Sequence, residues 1–151
     1  MKREIRNKSE IVKKLNLLLS DYEVYYQNLR ALHWNIKGKM FFMLHEKYEE
    51  FYNEAAEVID EIAERILMLE STPLHTYEDF LKNSGIKPVK DVKDANKSID
   101  IVLGNNETLL NSAYAALEVA DESGDEGTLS LLSDIISALE KRIWMLQSSI
   151  E

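Results

Sequence analysis

The sequence predicts an all-α protein, a four-helix bundle with a short extra helix in the crossover between the second and third helices. Only five glycines and two prolines punctuate its 151 residues, and long apolar repeats of period 3.6 run between them. The stretch from Pro73 to Lys90 is too long for an up-down hairpin. The first helix is expected from Ser9, where Ser9-Glu10 gives a start signal, through Val12, Leu15, Leu19, Tyr22, Tyr26, Leu29 and His33 to a stop at Gly38. The second runs from about Met40 to Glu70 and ends before Ser71-Thr72-Pro73. A short helix over Tyr77–Asn83, closed by Gly85 and followed by Pro88, sits in the crossover. The third covers about Val92 to Ala120, and the acidic turn from Asp121 to Gly127 breaks it. Thr128 is the expected cap of a last helix reaching Ile150.

Four long helices with this crossover describe a ferritin-like bundle. The chain, 45% apolar, reads as a single domain over residues 1–151 with a short basic tail at about 1–8. No stretch approaches the ~20 apolar residues of a membrane span, so no membrane partner is expected. The N-terminus MKREIRNKSE lacks the apolar core of a signal peptide, and there is no cysteine, which fits a cytoplasmic protein and excludes disulfides, thiolate zinc and iron–sulfur clusters. Residues 1–14 carry six basic and two acidic side chains, about +4, leaving about −13 on the other 137 of a total of −9. Such an acidic body attracts cations and repels nucleic acid, while the basic end does the reverse locally.

Two pairs of metal-capable side chains stand out. His45 and Glu49 lie four apart, as do Asp60 and Glu64, so each pair shares one helix face. From His45 to Asp60, however, a straight helix spans roughly 22 Å, and one ion cannot be shared within one chain. Two copies of the helix crossing antiparallel near residues 54–55 would place His45 and Glu49 of one against Asp60 and Glu64 of the other. His45, Glu49, Tyr52, Ala56, Asp60 and Ala63 fall within a stripe roughly 80° wide, and the two alanines allow close approach. An isologous contact makes two metal sites per dimer. An intra-bundle di-iron centre is disfavoured, because Arg30, Phe42 and Thr72, not glutamates, precede the three histidines by three.

Taken singly, these residues have plainer readings. His45 with Glu49 suits a surface ion pair, Asp60 and Glu64 a solvated acidic face, and His33, where an apolar stripe ends, a hydrogen-bonded core histidine. His75 is assigned no role.

The segment LHWNIKGKMFFMLHEKYEEFYNEAAEVIDEIAERI, residues 32–66, closely resembles the signature of the Dps family of miniferritins, the DNA-binding proteins from starved cells. A weaker likeness continues through LEKRIWMLQSSIE, residues 139–151. The spacing His-x11-His-x3-acid-x10-Asp-x3-Glu is met by His33, His45, Glu49, Asp60 and Glu64. The resemblance implies that the first three come from one subunit and the last two from its two-fold mate. The chain departs from the family in having Glu49 where Asp is commoner, and Thr128-Leu129-Ser130 where Thr-x-Asp often lines a pore. Cation access would then rely on other acids, with Asp121, Asp125, Glu126 and Asp134 as candidates.

What the resemblance implies is a twelve-subunit homo-oligomeric shell that is a ferroxidase: iron is taken up as Fe²⁺, oxidised to Fe³⁺, preferably with hydrogen peroxide, and stored as ferric mineral. Imidazole and carboxylate suit Fe²⁺, and anionic oxygen ligands favour Fe³⁺. Trp34 and Tyr52 near the ligands suit either radical interception or core packing. The alternative is a DNA-condensing protein whose basic N-termini, acting together, grip phosphates.

Overall fold

The computed structural model describes residues 4–150. Its elements are α1 (Lys8–Asn35), α2 (Phe41–Met68), α3 (Tyr77–Asn83), α4 (Ala95–Glu122) and α5 (Glu126–Ser148), the expected order with the expected short crossover helix. Helix α1 is the central element and packs against α2, α3 and α4, while α4 packs on α5. Its buried positions explain this role: Ile11, Leu15, Leu18, Leu19, Tyr22, Tyr25, Leu29 and Leu32 cover more than one face. Between α1 and α2 the chain turns at Gly38, whose φ of 111° is a conformation that side chains resist.

Polar groups fasten the crossover to α1, which the apolar pattern did not indicate. Buried Asp21 accepts hydrogen bonds from the Ser84 hydroxyl at 2.8 Å, the Gly85 amide at 2.7 Å and the Ser112 hydroxyl at 2.6 Å. Asn28 donates to the Lys87 carbonyl at 3.0 Å and accepts from the Val89 amide at 2.9 Å.

Two helix starts differ from expectation for one reason: an aspartate caps better than its neighbours. Asp94 accepts from the Lys97 amide, so α4 begins at Ala95 and not Val92. Asp125 accepts from the Thr128 amide at 3.1 Å, so α5 begins at Glu126 and Thr128 is not its cap.

A polar network spans the bundle. The buried Arg142 guanidinium donates to Glu54 at 2.7 Å and to Asn106 at 3.1 Å, and Asn106 donates to the Tyr25 hydroxyl at 3.2 Å. Burial pushes the Tyr22 and Tyr25 phenols far up, so both stay neutral. Among the described residues, no group of three or more histidines, aspartates and glutamates within one chain could hold a metal ion.

Candidate metal centre

Helix α2 carries two stripes. Leu44, Tyr48, Phe51, Ala55, Ile62 and Ile66 are buried against the bundle. Beside them run His45, Glu49, Tyr52, Ala56, Asp60, Ala63 and Glu64, half-buried or exposed. The face expected to meet a second copy is therefore the one the chain itself leaves uncovered.

His33, at the C-terminal end of α1, and His45, in the first turns of α2, meet across the Gly38 turn. Their rings stack with centroids 3.7 Å apart and 9° between planes. Their hydrogen bonds are reciprocal: His33 Nδ1 lies 2.6 Å from the His45 carbonyl oxygen, and His45 Nδ1 lies 2.7 Å from that of His33. A carbonyl oxygen only accepts, so each Nδ1 must carry the proton. In the neutral ring the lone pair then sits on Nε2, the tautomer and orientation that metal-binding histidines are given by carbonyl partners. The plainer core-histidine reading of His33 is satisfied at the same time, since the residue is 5% exposed and its ring is hydrogen-bonded.

Glu49 completes the cluster. One of its oxygens is 3.7 Å from His33 Nε2 and 3.4 Å from the Tyr52 hydroxyl, which donates to it. Desolvation, then the Glu49 charge, raises the Tyr52 phenol above its ordinary range. Tyr52 also stands edge-on to His33, with centroids 5.3 Å apart, and Phe41 stacks on the other face of His45 at 4.8 Å. Phe41 was not singled out from sequence, although its place four residues before His45 is the signal that finds it. Trp34 is 55% exposed with the Arg30 guanidinium over its ring, so core packing does not account for it.

Asp60 and Glu64 lie further along the same stripe, both exposed. The chain therefore presents a group of His33, His45 and Glu49 and a separate acidic pair. Glu23 on α1 also faces Asp60; half-burial, then the Asp60 charge, lifts its carboxyl above the usual range.

Of the acids expected to serve cation access, Asp121, Glu126 and Asp134 are exposed. Asp125 is not available for that role. It is 1% exposed, accepts from the Thr128 hydroxyl as well as its amide, and forms an ion pair of 2.7 Å with Arg65.

A ferritin-like bundle whose metal-capable side chains gather on its outer face, and not at its centre, is the class of protein these features define. The ferritin-like domain family matches residues 12–151. A Dps protein from Vibrio cholerae O1, described as one of a broad superfamily of ferritin-like diiron-carboxylate proteins, superposes with a TM-score of 0.94 at 42% identity, covering 95% of this chain and 91% of that one. A Dps protein from Bacillus brevis gives 0.93 at 36% identity over all of both chains. The DNA protection during starvation protein of Porphyromonas gingivalis is 41% identical over 138 residues, 91% of this chain and 87% of the relative. The chain belongs to the Dps family of ferritin-like proteins.

Proposed function

We propose that this protein is an iron-sequestering miniferritin that binds Fe²⁺ as substrate at sites shared across a two-fold interface, oxidises it with hydrogen peroxide, and keeps the ferric product inside a twelve-subunit shell. The observation that carries this reading is the reciprocal pair of Nδ1-to-carbonyl bonds, which leaves both imidazole Nε2 lone pairs available, that of His33 3.7 Å from the Glu49 carboxylate. Three ligands of one copy would be completed by Asp60 and Glu64 of the next. Two Fe²⁺ ions each give one electron to one peroxide molecule, two protons are taken up, and two water molecules and two Fe³⁺ result, so no hydroxyl radical is released. The carboxylates favour the trivalent product, and exposed Asp121, Glu126 and Asp134 supply a field that draws cations in. A cytoplasmic location fits the cysteine-free chain. Among the described residues, no helix is long and apolar enough to cross a membrane.

DNA condensation is the second reading, favoured by the relatives named for DNA protection and by the basic N-terminus. Within the described residues, however, part of that charge is already engaged on the protein. The Arg6 guanidinium donates to the Glu122 carbonyl at 3.0 Å and Lys8 lies 3.5 Å from Glu70. Lys2 and Arg3 lie outside the described residues.

Subunit mixing tests the shared site. Reassembling a His33→Ala/His45→Ala protein with an Asp60→Ala/Glu64→Ala protein should restore part of the peroxide-dependent iron oxidation that neither parent has. A mixture as inactive as its parents would exclude ligands acting in trans.

A further inference from the structure

Arg65 follows the proposed ligand Glu64 directly, yet its side chain works at the N-terminal start of α5. Its Nε donates to the Thr128 hydroxyl at 2.9 Å and its Nη2 to Asp125 at 2.7 Å. The guanidinium lies flat against the backbone at Gly127, where an added Cβ would stand 2.8 Å from both terminal nitrogens. A side chain at position 127 would therefore push the Arg65 guanidinium away. Three features of one turn, its capping aspartate, its glycine and its threonine, thus meet a single side chain from another helix.

The consequence is electrostatic as well as mechanical. Asp125 is buried with its charge balanced by Arg65, so the outward field of the turn comes from Asp121, Glu122 and Glu126, all exposed. Glu126 follows directly on the cap that Arg65 engages, and Asp121 and Glu122 stand at the end of α4 just before it. An arginine suits this task because its planar fork serves two acceptors at once, whereas a lysine ammonium offers a point charge without that geometry.

We infer that Arg65 is a positioning residue for cation uptake: it locks the acidic α4–α5 turn to the ligand-bearing end of α2, holding the surface acids where they focus incoming divalent cations. The inference rests on the proposed reading of the turn as the access route and of α2 as the metal-binding helix. It concerns delivery to the site, not the affinity of the site itself.

The test uses the assembled full-length protein and two divalent probes. Arg65→Lys keeps the charge opposite Asp125 but cannot also serve Thr128, and Gly127→Ala displaces the guanidinium without changing any charge. Leu109→Ala, a buried α4 position remote from the turn, supplies a destabilised comparison. Co²⁺ association followed by stopped-flow absorbance should slow by about threefold or more in both turn variants, while the equilibrium Co²⁺ affinity stays that of the wild type. For Fe²⁺ oxidation, the half-saturating iron concentration should rise by a similar factor with the maximal rate unchanged. Should the turn variants behave like Leu109→Ala, with a lower melting temperature and unaltered Co²⁺ association, Arg65 is a structural brace only and the inference fails. A wild-type protein that takes up Co²⁺ but does not oxidise Fe²⁺ would instead overturn the ferroxidase reading and leave the Arg65 comparison intact.

Discussion

On the proposed reading His33 has two roles, whose energies one substitution can separate. Its Nδ1–H satisfies the His45 carbonyl, and its Nε2 is the proposed ligand atom. Replacement by alanine removes both. It removes one hydrogen bond, at about 0.5–1.5 kcal/mol, from a carbonyl that keeps its place in helix α2, and breaks an aromatic stack, at about 0.5–1.5 kcal/mol, so a loss of roughly 1–3 kcal/mol is expected even without metal. Asparagine differs: its amide can donate to the same carbonyl from nearly the place of Nδ1, but it has no lone pair where Nε2 was. His33→Asn should therefore retain much of the metal-free stability. The metal response reads the other role. At a free metal concentration of about 100 Kd, binding adds about 2.7 kcal/mol to the stability of the native protein, and a ligand loss that weakens binding roughly a hundredfold cuts this to about 0.4 kcal/mol. Thermal unfolding with and without Co²⁺, on wild type, His33→Ala and His33→Asn, separates the terms. If His33→Asn kept the full Co²⁺-induced shift, His33 would be a core histidine and the metal centre would have to be rebuilt without it.

Glu23→Gln should stabilise the protein at neutral pH by roughly 0.5 kcal/mol or less, the carboxyl being half exposed and its repulsion from Asp60 screened. The sign follows from the raised native pKa: the native state takes up this proton before the unfolded chain does, so the penalty is present above the raised value and vanishes as pH falls below the ordinary carboxylate pKa of about 4.3. Denaturant melts at several pH values check it, and a destabilised Glu23→Gln at neutral pH would show that a basic group of a second copy pairs with Glu23. Ala56→Trp, at a half-buried position of the outward stripe, should prevent dimerisation and lower metal binding together, because overpacking a close helix crossing costs roughly 1–3 kcal/mol per site; native mass spectrometry reporting unchanged dimers would place the axis elsewhere.

Much of the fold was legible because helices leave a periodic trace. The five helices, their order and the crossover follow from apolar spacing and from where glycine and proline fall. What escaped was carried by polar residues whose partners lie far away in sequence. Asp21 and Asn28 sit within an apolar pattern and look like interruptions of it, yet they bond to groups 59 to 91 residues distant. Asp125 illustrates the same limit: in an acidic turn it reads as one more surface charge, and only its approach to Arg65, 60 residues away, shows that its charge is spent inside. The shared placement of His45, Glu49, Asp60 and Glu64 on one helix and its outward face was legible, because it follows from their spacing. The alignment of His33 with His45 was not, because it depends on the Gly38 turn bringing two helices together at ring-stacking distance.

The filled centre and the outward stripe belong to one physical arrangement. A di-metal site inside a bundle needs inward carboxylates and imidazoles without a competing cation. Here Arg142 brings a fixed positive charge among Asn106, Tyr25 and Glu54, where it would repel a metal ion in the low-dielectric interior. On its other side α2 carries a second, uncovered stripe. A site assembled on that stripe has a property that an interior one lacks. If each copy holds only part of the ligand set, as proposed, affinity for Fe²⁺ rises steeply when the two-fold contact forms, and by linkage a bound ion strengthens that contact by the same factor. On the proposed reading, dilute subunits therefore bind iron poorly and iron promotes their assembly, which places oxidation where a shell can enclose its product.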